Sequence, residues 1–234
     1  MTNYALVKHA FVRVIGSEAI VLDLRQDKYF ALPNLPQLAN QIVGWPRTNI
    51  RPNVPDFSEE ANPLEELLTR RLVTSTLEDG RSGVLTETVS PIADCVYEWR
   101  TSKGRVPLKA VSAFRHAVSE TKWWWRRLPL EERVTLLMQK RELCPHTGAV
   151  CWDDVRRLVG AFFRLRIWAY SARDRCLFDS LVLTNYLCQF DIRARLIIGV
   201  AVAPFLAHSW AQIESTALNE SCSRARTYQP IYVA

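Results

Sequence analysis

The sequence predicts an α+β protein with strands at both ends and helices between them. Three features lead there. A β meander occupies the first third, helical segments fill residues 108–169, and a helix followed by strands makes up the last quarter.

Phe11 to Ile15 reads as a strand, Gly16-Ser17 as a turn, and Glu18 to Leu24 as a second strand. Ile20, Leu22 and Leu24 alternate with Val21, Asp23 and Arg25, the period-two pattern of a half-buried strand. Arg25 to Lys28 supplies a polar turn, and Tyr29-Phe30-Ala31-Leu32 reads as the third strand. Pro33-Asn34-Leu35-Pro36 then opens a helix to about Val43, because proline is tolerated in a first turn. A loop containing Pro46, Pro52 and Pro55 leads to a second helix, Pro63 to Val73. From Glu78 to Pro107 the chain is polar and carries Gly80, Gly83 and Gly104, which marks a linker. The expected organisation is therefore a domain over 1–80, a linker over 81–107 and a domain over 108–234.

Helices are predicted over 108–127, 130–142 and 153–169. Trp123, Trp124 and Trp125 are consecutive, so they cannot all share one helix face. Base stacking is one use for such residues; core and inter-helix packing is the expected one. A helix from Ser171 to Phe190 follows, then strands from Ala194 to Val200, Ala207 to Glu214 and Thr216 to Glu220. No segment repeats at a fixed period or is of low complexity.

With 234 residues, 48% of them hydrophobic, the chain can bury roughly three quarters of its unfolded surface without staples. No run of eighteen apolar residues is present and the N-terminal stretch lacks the order of a signal peptide, so cytoplasm is the expected location and no membrane span is expected. The net charge of +6 is unevenly spread: 9 Lys+Arg against 13 Asp+Glu in residues 1–99, 17 against 7 in 100–175, and 4 against 4 thereafter. A basic block can face nucleic acid, but the solvated face of amphipathic helices is the plainer reading, and an acidic first third is wrong for a DNA-docking domain. No nucleic-acid partner is expected.

The cysteines, at 95, 144, 151, 176, 188 and 222, lack a disulfide framework's spacing and are expected to be reduced. Cys144, His146 and Cys151 cluster without any CxxC or second pair, so no metal is expected. No P-loop or dinucleotide fingerprint is present, and no cofactor is expected.

Chemistry centres on Cys176. Ser171-x-x-Asp174 fits a capping box, which places Cys176 near the start of a helix. There the helix dipole and unpaired N–H groups favour a thiolate and can hold an oxyanion. Cys188, in the same apolar helix, fits a small core residue instead. His208 lies on a predicted strand, sharing a face with Trp210, Gln212 and Glu214. Cysteine at a helix start and histidine on a following strand is the logic of a thiolate–imidazolium pair. A third group should orient the imidazole: Glu220 on the next strand is best placed, with Asn219 and Glu214 as rivals.

The runs RDRCLFDSLVLTNYL, IRARLIIGVAVAPFLAHSW and LNE together resemble the lasso-peptide maturation B proteins, transglutaminase-like (papain-like) cysteine peptidases that remove the leader from a lasso-peptide precursor. Cys176, His208 and Trp210 match that pattern directly, and Asn219-Glu220 falls at its N-D position with Glu in place of Asp. AFVRVIGSEAIVLDLRQDKYFALP is similar to the start of a winged-helix-like precursor-recognition element, which adds the leader to a strand edge. The resemblance implies leader binding along an edge lined by Tyr29 and Phe30, peptide hydrolysis through an acyl-enzyme on Cys176, and an ATP-dependent lasso cyclase as partner. A transglutaminase-like acyltransferase, a nucleic-acid-binding regulator and a non-catalytic peptide scaffold are the competing functions.

Overall fold

A computed structural model describes residues 4–46, 62–75, 80, 89, 92–96, 105–145, 150–171 and 175–234. The chain forms two compact units, Met1–Thr88 and Val89–Ala234. Within the expected linker, Asp94–Cys95 is a strand of the second unit's sheet, so the sequence's polar stretch is partly structured. An edge strand this short needs only backbone hydrogen bonds to join a sheet, and residues 81–88, 90–91 and 97–104 of the expected linker lie outside the described residues.

In the first unit, β1 (Tyr4–Leu6) is followed by the meander β2 (Ala10–Ile15), β3 (Glu18–Asp23) and β4 (Lys28–Pro33), paired antiparallel in the order β2-β3-β4. Gly16, at φ +61°, occupies the left-handed region at the first turn, where glycine is favoured. The predicted half-burial of β3 is wrong: Ile20, Val21 and Leu22 are all fully buried. Val21 belongs to the core with Ala10, Val12, Ala19 and Leu32. Asp23 is buried too because its carboxylate accepts the N–H groups of Arg25 (2.9 Å) and Gln26 (3.2 Å) across the turn.

Both predicted helices of this unit are shorter than their patterns. Helix α1 (Pro36–Gln41) gives way to β5 (Ile42–Val43), and α2 (Pro63–Thr69) gives way to β6 (Val73–Thr74). These two strands flank β1, which the sequence reading missed, in the order β5-β1-β6. Arg71 stops α2 by adopting φ +57°, with the Leu72 N–H returning to the Leu67 carbonyl at 2.9 Å.

The second unit begins with β7 (Asp94–Cys95) and the helices α3 (Leu108–Arg127), α4 (Leu130–Leu143) and α5 (Trp152–Arg166). After α6 (Cys176–Cys188) come β8 (Arg195–Ala201), β9 (Leu206–Ile213), β10 (Thr216–Ala217), α7 (Cys222–Ala225) and β11 (Gln229–Val233). The sheet order is β11-β8-β9-β10-β7, with only β10 and β7 parallel. An aromatic core of Phe114, Phe162 and Tyr186 joins α3, α5 and α6, and extends to Ala211 and Ile213 on β9. A second core, with Ile197, Trp210, Tyr228 and Val233, includes the opposite side of β9. Of the tryptophan run, Trp124 is buried and its neighbours are exposed, as helical geometry requires.

Gly199 on β8 stands opposite His208, and a Cβ there would lie 2.9 Å from the Trp210 ring and 2.9 Å from Tyr228 Cβ. Gly199→Ala is therefore expected to overpack this core by about 1–3 kcal/mol, read as a lower midpoint in thermal unfolding with secondary structure retained.

Candidate active site

Cys176 is the first residue of α6. The capping box is a correction: the residue at the helix N-cap is Arg175, with no side-chain cap hydrogen bond, and Ser171 lies upstream of the helix. Asp174 falls outside the described residues, as does His146 of the weighed metal cluster. The later start puts the thiol at the positive end of the dipole, where first-turn N–H groups have no capping side chain.

β9 carries His208, which is 7% exposed. Its ring stacks near Trp210 (centroids 6.5 Å apart) and Tyr228 (5.1 Å), so the imidazole has a packed aromatic bed. Nε2 lies 2.6 Å from Glu220 Oε2, which leaves Nδ1 to meet the Cys176 thiol. Glu220 Oε1 accepts the Ser221 N–H at 2.8 Å, so each carboxylate oxygen has its own task. Glu220 lies after β10 rather than on it, because the strand ends at Ala217.

The two rivals for the third position lie elsewhere. Asn219 Oδ1 accepts the Ala211 N–H at 2.8 Å, and its Nδ2 donates to Asp179 Oδ2 (3.0 Å) and Ser180 Oγ (3.1 Å). Glu214 is exposed in the turn between β9 and β10.

Sequence reasoning missed the group beneath the site. Asp179, three residues after Cys176, is 3% exposed and pairs with Arg166 Nη1 at 2.9 Å, while the Tyr170 hydroxyl donates to it at 2.9 Å. An acid inside an otherwise apolar helix was the available signal. At i+3 an unpaired carboxylate would oppose the thiolate, and Arg166 cancels that opposition. Burial and the neighbouring Asp179 charge raise the Tyr170 phenol well above its usual range, so it stays a neutral donor.

Electrostatics separate Cys176 from the other thiols. Burial pushes its pKa up, but hydrogen bonding with His208 and Ser209 and the imidazolium charge outweigh that and bring it to about 7. For His208 burial favours the neutral ring, yet the thiolate and Glu220 raise it to about 9. Glu220 is held below its usual value, against burial, by His208, Ser221 and Arg224. Cys188, half-buried at the end of α6 rather than in its core, is pushed up to about 12 by burial and by Cys144. Near neutral pH the imidazole is thus protonated and the thiol partly ionised, the charge state that a thiolate–imidazolium pair requires.

Among the described residues no group of three or more His, Cys, Asp or Glu side chains could hold a metal ion, and no helix is long and apolar enough to cross a membrane. Tyr29 and Phe30 lie on β4 of the first unit, remote in sequence from this constellation.

Residues 114–233, 120 of the 234, match the family model of the transglutaminase-like superfamily, and the chain belongs to that superfamily. Membership supports a peptidase or acyltransferase-like activity in the C-terminal part of this α+β protein. Comparisons with curated proteins and with solved structures gave no significant match.

Two outcomes are expected. Alkylation of Cys176 by iodoacetamide should rise with pH around an inflection near 7, and catalytic turnover should fall again as His208 deprotonates near 9; in His208→Ala the thiol inflection should move up toward that of an ordinary cysteine. Asn219→Ala should lower thermal stability and activity together, since it releases Asp179, Ser180 and the Ala211 N–H, whereas Glu220→Gln should lower activity roughly 10- to 10³-fold with little change in melting temperature.

Proposed function

We propose that this chain is a cysteine peptidase that removes the leader from a ribosomally made lasso-peptide precursor. The observation that carries the reading is the Cys176–His208–Glu220 arrangement inside a transglutaminase-like domain, with the Cys176, His208 and Trp210 motif spacing described above. The Cys176 thiolate attacks the carbonyl of the scissile peptide bond, and N–H groups at the start of α6 receive the developing oxyanion. His208, held by Glu220, gives its proton to the departing amine of the core peptide. Water, deprotonated by the same imidazole, then hydrolyses the thioester and restores the thiol. The freed amine becomes the nucleophile for the ATP-dependent cyclase.

Leader recognition is assigned to residues 1–80 as a winged-helix-like domain. Among the described residues strand β4 pairs on one side only, with β3, and so offers its outer edge for strand addition. Phe30 packs on the unit's core beneath the Arg70 guanidinium, 4.1 Å from its ring centre, and Tyr29, half-buried, points to the other face. Tyr29 is the better candidate to touch a leader, while Phe30 sets the shape of the edge.

Incubating precursor with the protein and weighing the products tests the reaction. Hydrolysis adds water, transfer to an amine adds that amine, and Cys176→Ala should leave the precursor intact while binding it as the wild type does. Cys188→Ala should retain most activity. Full cleavage by Cys176→Ala would end the assignment. For the leader, Tyr29→Ala in a Cys176→Ala background should weaken binding of a labelled leader peptide several-fold, by fluorescence anisotropy, without changing the melting temperature.

A further inference from the structure

A cavity of about 300 Å³ opens between α3 and the start of α6, lined by Lys122, Trp125, Arg126, Arg175 and Phe178. Arg175 and Phe178 flank Cys176 in sequence, so the cavity lies at the end of α6 that carries Cys176. Its aromatic wall is built. Phe178 is buried and held edge-on between Trp125 (5.5 Å) and Tyr170 (5.0 Å). Arg133 lies over the Trp125 ring at 4.4 Å and donates to the Leu128 (2.8 Å) and Trp125 (3.2 Å) carbonyls, which fixes that end of α3.

The charge here is all of one sign. Among the described residues no carboxylate lines the cavity, and the side chains of Lys122, Arg126 and Arg175 make no ion pair or hydrogen bond. Several other cations of the same unit are engaged: Lys140 with Glu120, Arg166 with Asp179, Arg157 with Asp154, and Arg193 with the Cys144 carbonyl. Three exposed cations gathered on one small cavity with aromatic walls leave a positive potential that favours an anionic ligand. The volume, at the small end for a binding site, suits one side chain with its flanking backbone rather than a cofactor.

We propose that this cavity is a specificity subsite that receives an acidic residue, Asp or Glu, of the peptide substrate close to the bond that Cys176 cuts. The inference rests on the peptidase reading and deepens it. The side chain's methylenes lie against Trp125 and Phe178, and its carboxylate meets the Lys122, Arg126 and Arg175 head groups. Arg126 and Arg175 can offer paired N–H donors to the two oxygens.

Two measurements test it, both on the full chain and on Lys122→Glu/Arg126→Glu, whose substitutions lie on an exposed helix face away from the Cys176 backbone. The first compares alkylation of Cys176 by iodoacetate, a small carboxylate, with neutral iodoacetamide, each read by peptide mapping. The iodoacetate-to-iodoacetamide rate ratio should fall about 5- to 10-fold in the charge-reversed variant. The second exposes a proteome-derived peptide mixture to each protein and reads the products by mass spectrometry. Wild type should enrich Asp and Glu at one position beside the cut, and the variant should lose that preference or turn it toward Lys and Arg. If wild type cuts peptides without any acidic preference, or the variant keeps it, the subsite is wrong and the peptidase reading stands. If wild type cuts nothing in the mixture and spares the precursor too, the peptidase reading fails, and the alkylation ratio decides for the cavity. An unchanged ratio then overturns a carboxylate site, and the expected fall supports one serving another acyl transfer.

Discussion

The 2.6 Å contact between His208 Nε2 and Glu220 Oε2 is the constraint around which the C-terminal unit is arranged. The contact fixes which ring nitrogen faces Cys176, stabilises the imidazolium, and through it lowers the thiol. Everything that holds it is local to the sheet. The turn after β9 reverses the chain so that Glu220 returns to the level of His208, and Gly199 leaves room for Trp210 and Tyr228 to pack beside the ring. Glu has one methylene more than Asp, and tethering Oε1 to the Ser221 N–H removes the freedom that the added length brings.

The helix that begins at Cys176 is anchored to the same sheet by a polar group placed where apolar packing alone would let it slide. Asn219 joins the β9 backbone to Asp179 and Ser180, so one amide ties the Glu220 segment, the histidine strand and the cysteine helix together. A buried carboxylate is expensive, and here Arg166, Tyr170 and Asn219 offset its desolvation with three hydrogen bonds. The same neutralisation keeps Asp179 from repelling the thiolate one turn away. Geometry and electrostatics at Cys176 therefore share one support.

Helices α3 and α4 match their predicted spans to within a residue because their apolar spacing and flanking prolines are local signals, carried by the residues themselves. The meander was legible for the same reason: alternation and the Gly16 turn act over a few residues. Strands β1, β5, β6, β7 and β11 were not. Each is short, and each exists because a distant strand supplies its hydrogen bonds, as Tyr4 finds Ile42 and Gln229 finds Val200. No local pattern encodes a partner that far along the chain.

The candidate site divides along the same line. Residue identity and spacing alone brought forward Cys176 and His208, and left Glu220, Asn219 and Glu214 as alternatives, because all three lie within reach of a strand that follows the histidine. Tertiary structure decided what each contacts: Glu220 meets the ring, Asn219 faces the Cys176 helix, and Glu214 stands in the turn. It also revealed Arg166 and Tyr170 beneath the site, and the cations of α3 beside Arg175, which no local sequence pattern brings together. The physical reason is that sequence determines which face of an element a side chain occupies, whereas a pKa, an ion pair or a cavity depends on distances between elements, and those exist only once the chain has packed.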